Sequence, residues 1–239
     1  MFIQKVFRLS FLALLILFSF SCTQKKKEYN EIFGIKYIEA EEYFQNNSWI
    51  TDTLVSYGVN PNLAISVVFP EVIRYSALKD IAETHSLEVL YTQYGSKYAD
   101  FSIGQFQMKP SFVYNLEKDW NSFPEKSGYN AYLKSFDTSN NPCNRLERIY
   151  RLKDMNWQVK YLVIFCKLIE DRCEKEWVNE KQKVIFLASA YNVGFWYNSE
   201  VIKSKGKQNY YYTSLINPKR CFNYSDIALS YFMKKQMPK

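Results

Sequence analysis

Histidine is almost missing from this chain: His85 is the single copy in 239 residues. That leaves no material for a histidine-built zinc site, and one candidate base for a Ser-His-Asp or Cys-His mechanism. His85 itself sits in Glu83-Thr84-His85-Ser86 with no visible nucleophile partner, and reads as a surface or helix-cap residue. Glycine and proline are scarce, at 7 each, which excludes a collagen-like or Pro/Gly-rich disordered chain. Strand-like alternation is rare and no internal repeat is visible. Aromatics are abundant instead, with 20 Tyr and 18 Phe. A chain of this length and aromaticity can bury a core of its own.

The first segment reads as a targeting signal. Lys5 and Arg8 precede an apolar run from Leu9 to Phe20, the length of a signal-peptide core and too short to span a membrane. It ends in Ser21-Cys22, a small residue before cysteine, which resembles a bacterial lipobox. That resemblance implies removal of residues 1–21, acylation of Cys22 and a membrane attachment through the lipid. A plain secretory signal is the alternative. Residues 22–38 then form a tether that starts with Lys25-Lys26-Lys27, and 39–239 form one domain. The chain is basic, with a formal charge of +7. Outside the cytoplasm this favours anionic polymers or headgroups over nucleic acid, which the compartment excludes.

With Cys22 assigned to lipid, Cys143, Cys166, Cys173 and Cys221 remain, and export permits disulfides. Cys166 and Cys173 lie in one helical pattern, about 10.5 Å apart along its axis, too far to bridge. Pairs involving Cys143 and Cys221 are open, as are four free thiols.

The remainder predicts an all-α or mostly α domain. Glu39 to Tyr57 reads as one or two helices stopping at Gly58. Asn60-Pro61 supplies an N-cap and a first-turn proline for the next. Leu63 to Phe69 is apolar throughout, so that helix should be buried, with Pro70 kinking or ending it. Trp157, Tyr161, Ile164, Phe165, Leu168 and Ile169 recur at helical spacing. Asn179 and Gln182 are spaced as a capping box before an apolar helix that reaches Tyr191 and stops at Gly194. Ser225 to Lys235 closes the chain as a short helix. Residues 121–142 read as a long loop, and 203–224 as loop or short hairpin.

Three stretches carry the chemistry. In the first, Glu71 follows a nearly apolar run. A carboxyl there, facing a cleft, would be kept protonated by desolvation and could donate to a leaving oxygen. It could equally be an exposed residue at a kink, or the partner of Arg74. The second is Ala99-Asp100-Phe101-Ser102-Ile103-Gly104-Gln105-Phe106-Gln107-Met108-Lys109-Pro110-Ser111, which otherwise reads as an ordinary loop-to-helix junction. The third is Ala190-Tyr191-Asn192-Val193-Gly194, where a hydroxyl and an amide can meet a polar ligand, or a core Tyr can simply precede a helix end.

In this order the three stretches resemble the lytic transglycosylases of the soluble type, in the lysozyme-like superfamily. That family has a helix-borne Glu, then Gly-Leu-Met-Gln-x-x-Pro, then Ala-Tyr-Asn-[Ala/Ser]-Gly. The resemblance covers roughly residues 60–196. It implies a single lysozyme-like domain in which Glu71 is the acid/base, while Ser102, Gln107, Tyr191 and Asn192 bind substrate. It implies cleavage of the MurNAc–GlcNAc bond of peptidoglycan glycan strands to 1,6-anhydro ends, with no metal and no cofactor. It also implies a lipoprotein of the outer membrane that faces the periplasm. Val72 stands where the family has Ser, Phe101-Ser102 stand where it has Gly-Ala, and Ile81–Tyr98 is an added segment. Glu83 and Glu88, inside that segment, are fallback acids. A hydrolytic lysozyme, a glycan-binding lipoprotein without activity, and a structural envelope lipoprotein are the competing readings.

Overall fold

Asparagine side chains start the helices at the places the sequence marks. Asn60 Oδ1 accepts from the amides of Asn62 and Leu63 at 3.0 and 3.3 Å, and Asn179 Oδ1 accepts from Gln182 N at 3.0 Å. Gln182 answers by accepting from Val178 N, so the box closes one residue earlier than its usual form. Asn141, Asn198 and Asn223 cap three more helices in the same way.

The computed structural model describes residues 28–75, 77–123, 136–212 and 221–237, with side chains undescribed for 77–83 and 86. The signal segment, Cys22 and parts of the expected loops at 124–135 and 213–220 lie outside that set, as does the side chain of Glu83. The fold is all-α. Eleven α-helices run in order: α1 (Tyr29–Phe33), α2 (Ile35–Asn46), α3 (Ser48–Ser56), α4 (Pro61–Arg74), α5 (Ala77–Tyr94), α6 (Pro110–Asn121), α7 (Pro142–Lys153), α8 (Met155–Cys173), α9 (Glu180–Val193), α10 (Ser199–Gly206) and α11 (Tyr224–Gln236). Among the described residues β pairing is confined to two isolated bridges, Ile103 with Met108 and Tyr211 with Phe222. No described helix is long and apolar enough to cross a membrane.

Helix α4 is the centre. Every residue from Leu63 to Ile73 is buried, against α2, α3, α8, α9 and α11. Pro70 does not end it, contrary to expectation: the helix continues to Arg74. An interior proline costs about 3 kcal/mol. Each buried Val, Leu, Ile or Phe contributes about 1.5–3 kcal/mol, so the apolar wrapping of this one helix outweighs the lost hydrogen bond. Packed helix also begins before residue 39. Tyr37 is buried in the core, and Tyr29 and Phe33 set their rings against Phe222 at 6.3 and 5.0 Å.

A second layer, α5 to α8, is tied by a buried ion cluster. Glu117 Oε2 accepts from Arg148 Nε and Nη2 at 2.8 and 2.7 Å, and Oε1 accepts from Tyr161 OH at 2.7 Å and Arg151 Nη1 at 3.1 Å. Arg148 also donates to Tyr91 OH on α5. The end of α6 is tied to residue 136, where the Asn121 amide donates to Phe136 O and accepts from Phe136 N. The region 203–224 is divided between the end of α10 and the Tyr211–Phe222 bridge. Cys143, Cys166, Cys173 and Cys221 carry no disulfide.

Removing one member of a buried charge network strands the others, at a cost of about 3–5 kcal/mol. Glu117→Gln should therefore lower the unfolding free energy by that amount in urea titration. Glu147→Gln, which breaks an ion pair to Arg151 at the exposed rim, should change it by no more than ~0.5 kcal/mol.

Candidate active site

The last turn of α4, the loop from Asp100 to Lys109 and the end of α9 enclose a cleft of about 320 Å³. Glu71, Ser102, Gln107, Tyr191 and Asn192, the residues singled out in the sequence, all line it. Stretches more than 80 residues apart in the chain thus border one cleft.

Glu71 is 5% exposed, not the surface residue that one reading allowed. Burial pushes its pKa above the ordinary carboxylate value of 4.5, and outweighs the opposing pull of Arg74 and, further off, Lys109. Arg74 Nη2 lies 2.6 Å from Glu71 Oε2, so the ion-pair reading of Glu71 also holds. The approach is oblique, however. Neither Glu71 Oε2 nor Arg74 Nε is satisfied by a well-directed hydrogen bond. The closeness favours an ionised Glu71, but burial raises the proton affinity by more than Arg74 lowers it.

The loop opposite is shaped by two left-handed residues. Gly104 has φ +70° and Gln107 has φ +50°, and Ile103 and Met108 pair across the turn. A Cβ at residue 104 would stand 1.7 Å from Gln158 Nε2, so glycine is required for the approach as well as the dihedral. The Gln158 amide then pins the turn: its Oε1 accepts from Phe106 N at 2.8 Å and its Nε2 donates to Leu152 O. Asp100 holds the exit by accepting from Ser111 N and Oγ at 3.1 and 2.8 Å.

The sequence suggests that Tyr191 offers its hydroxyl to a ligand. In the structure that hydroxyl donates to Phe106 O at 2.7 Å, so Tyr191 holds the loop against α9. Gln107 Nε2 likewise donates to Gly104 O at 2.8 Å, within its own turn. Asn192 reaches Tyr210 OH at a long 3.4 Å. Burial first, then the Glu71 charge, raises the pKa of Tyr191, Tyr211 and Tyr224, so these phenols stay neutral.

Several lining residues are not ones the sequence marks as binding: Arg74, Asp100, Lys109, Ser111 and Trp196. Trp196 is half exposed and packs edge-on to Phe112 and Phe195. Gly194, with its hydrogen atom against the Trp196 ring, was the available signal for it. Val72 does not line the cleft; it faces a separate hollow with Tyr43, Tyr75 and Gln105. Glu88 pairs with Lys153 elsewhere and His85 is exposed on α5, so neither reaches Glu71. Among the described residues no three His, Cys, Asp or Glu side chains converge as a metal site needs. Comparison with family models, curated proteins and solved structures finds no match.

Because Glu71 holds its proton more tightly when folded than when unfolded, its charge costs stability. That cost is absent below pH 4.5 and grows as pH rises through the window between 4.5 and the raised value. Glutamine does not titrate. The Tm of Glu71→Gln minus that of the wild type should rise with pH above 4.5 and then level off. A flat or falling difference would show that Arg74, not burial, governs the carboxyl.

Proposed function

We propose that this chain is a peptidoglycan lytic transglycosylase with Glu71 as its single acid/base. One observation carries the reading: a buried carboxyl of raised proton affinity forms the wall of a cleft whose other walls are the Gly104–Ser111 and Tyr191–Gly194 segments. A protonated Glu71 gives its proton to the glycosidic oxygen as the muramic C1–O bond breaks. The substrate's own N-acetyl group stabilises the cationic carbon, so no second protein carboxylate is needed. Glu71, now ionised, takes the proton from the muramic 6-hydroxyl, and O6 closes on C1. The proton balance is zero and no water is consumed. Trp196 offers an exposed ring face for a sugar. Asn192 and Ser102 have polar groups at the rim, and Gln107 and Tyr191 keep the opposing loop in place. In this reading the enzyme is anchored through Cys22 in the outer membrane, facing the wall.

The contact between Arg74 and Glu71 favours a second reading, a lysozyme-like lipoprotein that binds glycan without cutting it. An arginine at 2.6 Å promotes the ionised carboxylate, the wrong form for a general acid.

Mass analysis of muropeptides released from purified peptidoglycan by residues 23–239 separates the two. Anhydro products, lighter by one water than hydrolysed ones and lost in Glu71→Gln, are expected. Hydrated products assign a lysozyme instead. An uncut wall that still pulls the protein into the pellet assigns the binding protein.

A further inference from the structure

Glu71 shares its cleft with two cations that are incompletely used. Arg74 lies one helical turn further along α4, and its guanidinium stands 5.3 Å over the Tyr211 ring. Its Nε is buried without a hydrogen bond, and its contact to Glu71 is oblique. Lys109, on the facing loop, is half exposed and comes no nearer than 3.9 Å to Asp100, whose two oxygens are taken by Ser111. A buried donor left unmade costs about 1–3 kcal/mol. A guanidinium fork with spare donors fits a carboxylate better than any neutral group. The cleft holds two cations and two carboxylates, Glu71 and Asp100; with Asp100 already accepting twice from Ser111 and only loosely paired to Lys109, both cations keep donors for an incoming carboxylate.

We propose that Arg74 and Lys109 form a carboxylate-recognition site beside Glu71, and that it selects glycan in which the muramic lactyl group is a free carboxylate, stripped of its stem peptide. The inference rests on the glycan reading above and narrows it to a substrate class. The lactyl group hangs from the same ring whose C1–O bond meets Glu71. A ring seated for cleavage brings that carboxylate into the cleft that Arg74 and Lys109 line with Glu71. In peptide-bearing wall that carboxyl is an amide and is neutral. Binding exchanges one ionic contact for another, and no covalent bond changes: Arg74 turns from Glu71 to the lactyl group. Glu71 then loses its nearest cation, so its proton affinity, already raised by burial, rises further.

The test is calorimetric titration of the full chain with an uncleavable S-linked GlcNAc–MurNAc tetrasaccharide in three forms: free lactyl acid, lactyl methylamide and stem-peptide conjugate. The acid should bind about tenfold or more tighter than the methylamide, the factor one charge-assisted hydrogen bond supplies. Arg74→Gln should reduce that ratio to about one, while Arg74→Lys keeps part of it. Lys109→Met, on the half-exposed loop, should lower it several-fold even if the Arg74 variants fail to fold. Equal affinity of the wild type for acid and methylamide overturns the inference and leaves the glycan reading standing. A conjugate that binds as tightly as the acid moves the carboxylate to the peptide and overturns the lactyl assignment. No binding of any form overturns the glycan reading, and the inference with it.

Discussion

A carboxyl near the end of a helix with no exposed face must be accommodated by whatever packs around that helix, and α4 sets this condition for the whole molecule. Its eleven consecutive buried residues exclude water from Glu71 and make ionisation there costly. The surrounding helices supply apolar contact, and only α4's own Arg74 comes close with a compensating charge. Burial raises the proton affinity, Arg74 lowers it, and the first prevails. A carboxyl of raised proton affinity emerges from that imbalance, with burial as its cause rather than a neighbouring carboxylate.

The architecture around Glu71 is rigid where it needs to be. The Gln158 amide, Asp100 and the Tyr191 hydroxyl each fasten the opposing loop by a different bond. Each satisfies a main-chain or side-chain group that would otherwise be left unpaired. The residues thought of as ligand contacts are thus partly scaffold. Contact surface is left to side chains with free faces, above all Trp196, and to the cations Arg74 and Lys109.

Much of this was legible in the sequence because it is local. Asn60 before Pro61 and Asn179 before Gln182 are caps read within four residues, and both act as such. The apolar run from Leu63 to Phe69 announced a buried helix. Pro70 misled, because a propensity rule weighs one hydrogen bond and knows nothing of the surrounding core. The helical start at Tyr29 was missed although Tyr29, Ile32, Phe33, Ile35, Tyr37 and Ile38 are apolar or aromatic, because Gly34 divides them between two short helices and breaks the helical spacing. The order of Glu71, Gln107 and Tyr191 marked a site, and they do meet in one cleft. The part taken by each was not legible: Tyr191 binds Phe106 O from 85 residues away, a distance no spacing argument reaches. Arg74 stood in view three residues from Glu71, but the oblique angle that leaves its Nε without a partner exists only in three dimensions.

Two tyrosines from the far end of the chain donate to main-chain oxygens of α4: Tyr211 OH to Pro70 O at 2.5 Å and Tyr224 OH to Val67 O at 2.9 Å. These bonds span 141 and 157 residues of sequence. Contacts of such separation form late, after the loop-closure entropy has been met. During synthesis the stretch that carries Glu71 is made long before the residues that bury it. A nascent chain therefore holds an ordinary solvated glutamate, whose proton affinity rises only when the residues that bury it have docked. For a protein whose proposed substrate is the cell's own wall, the order of folding is itself a safeguard.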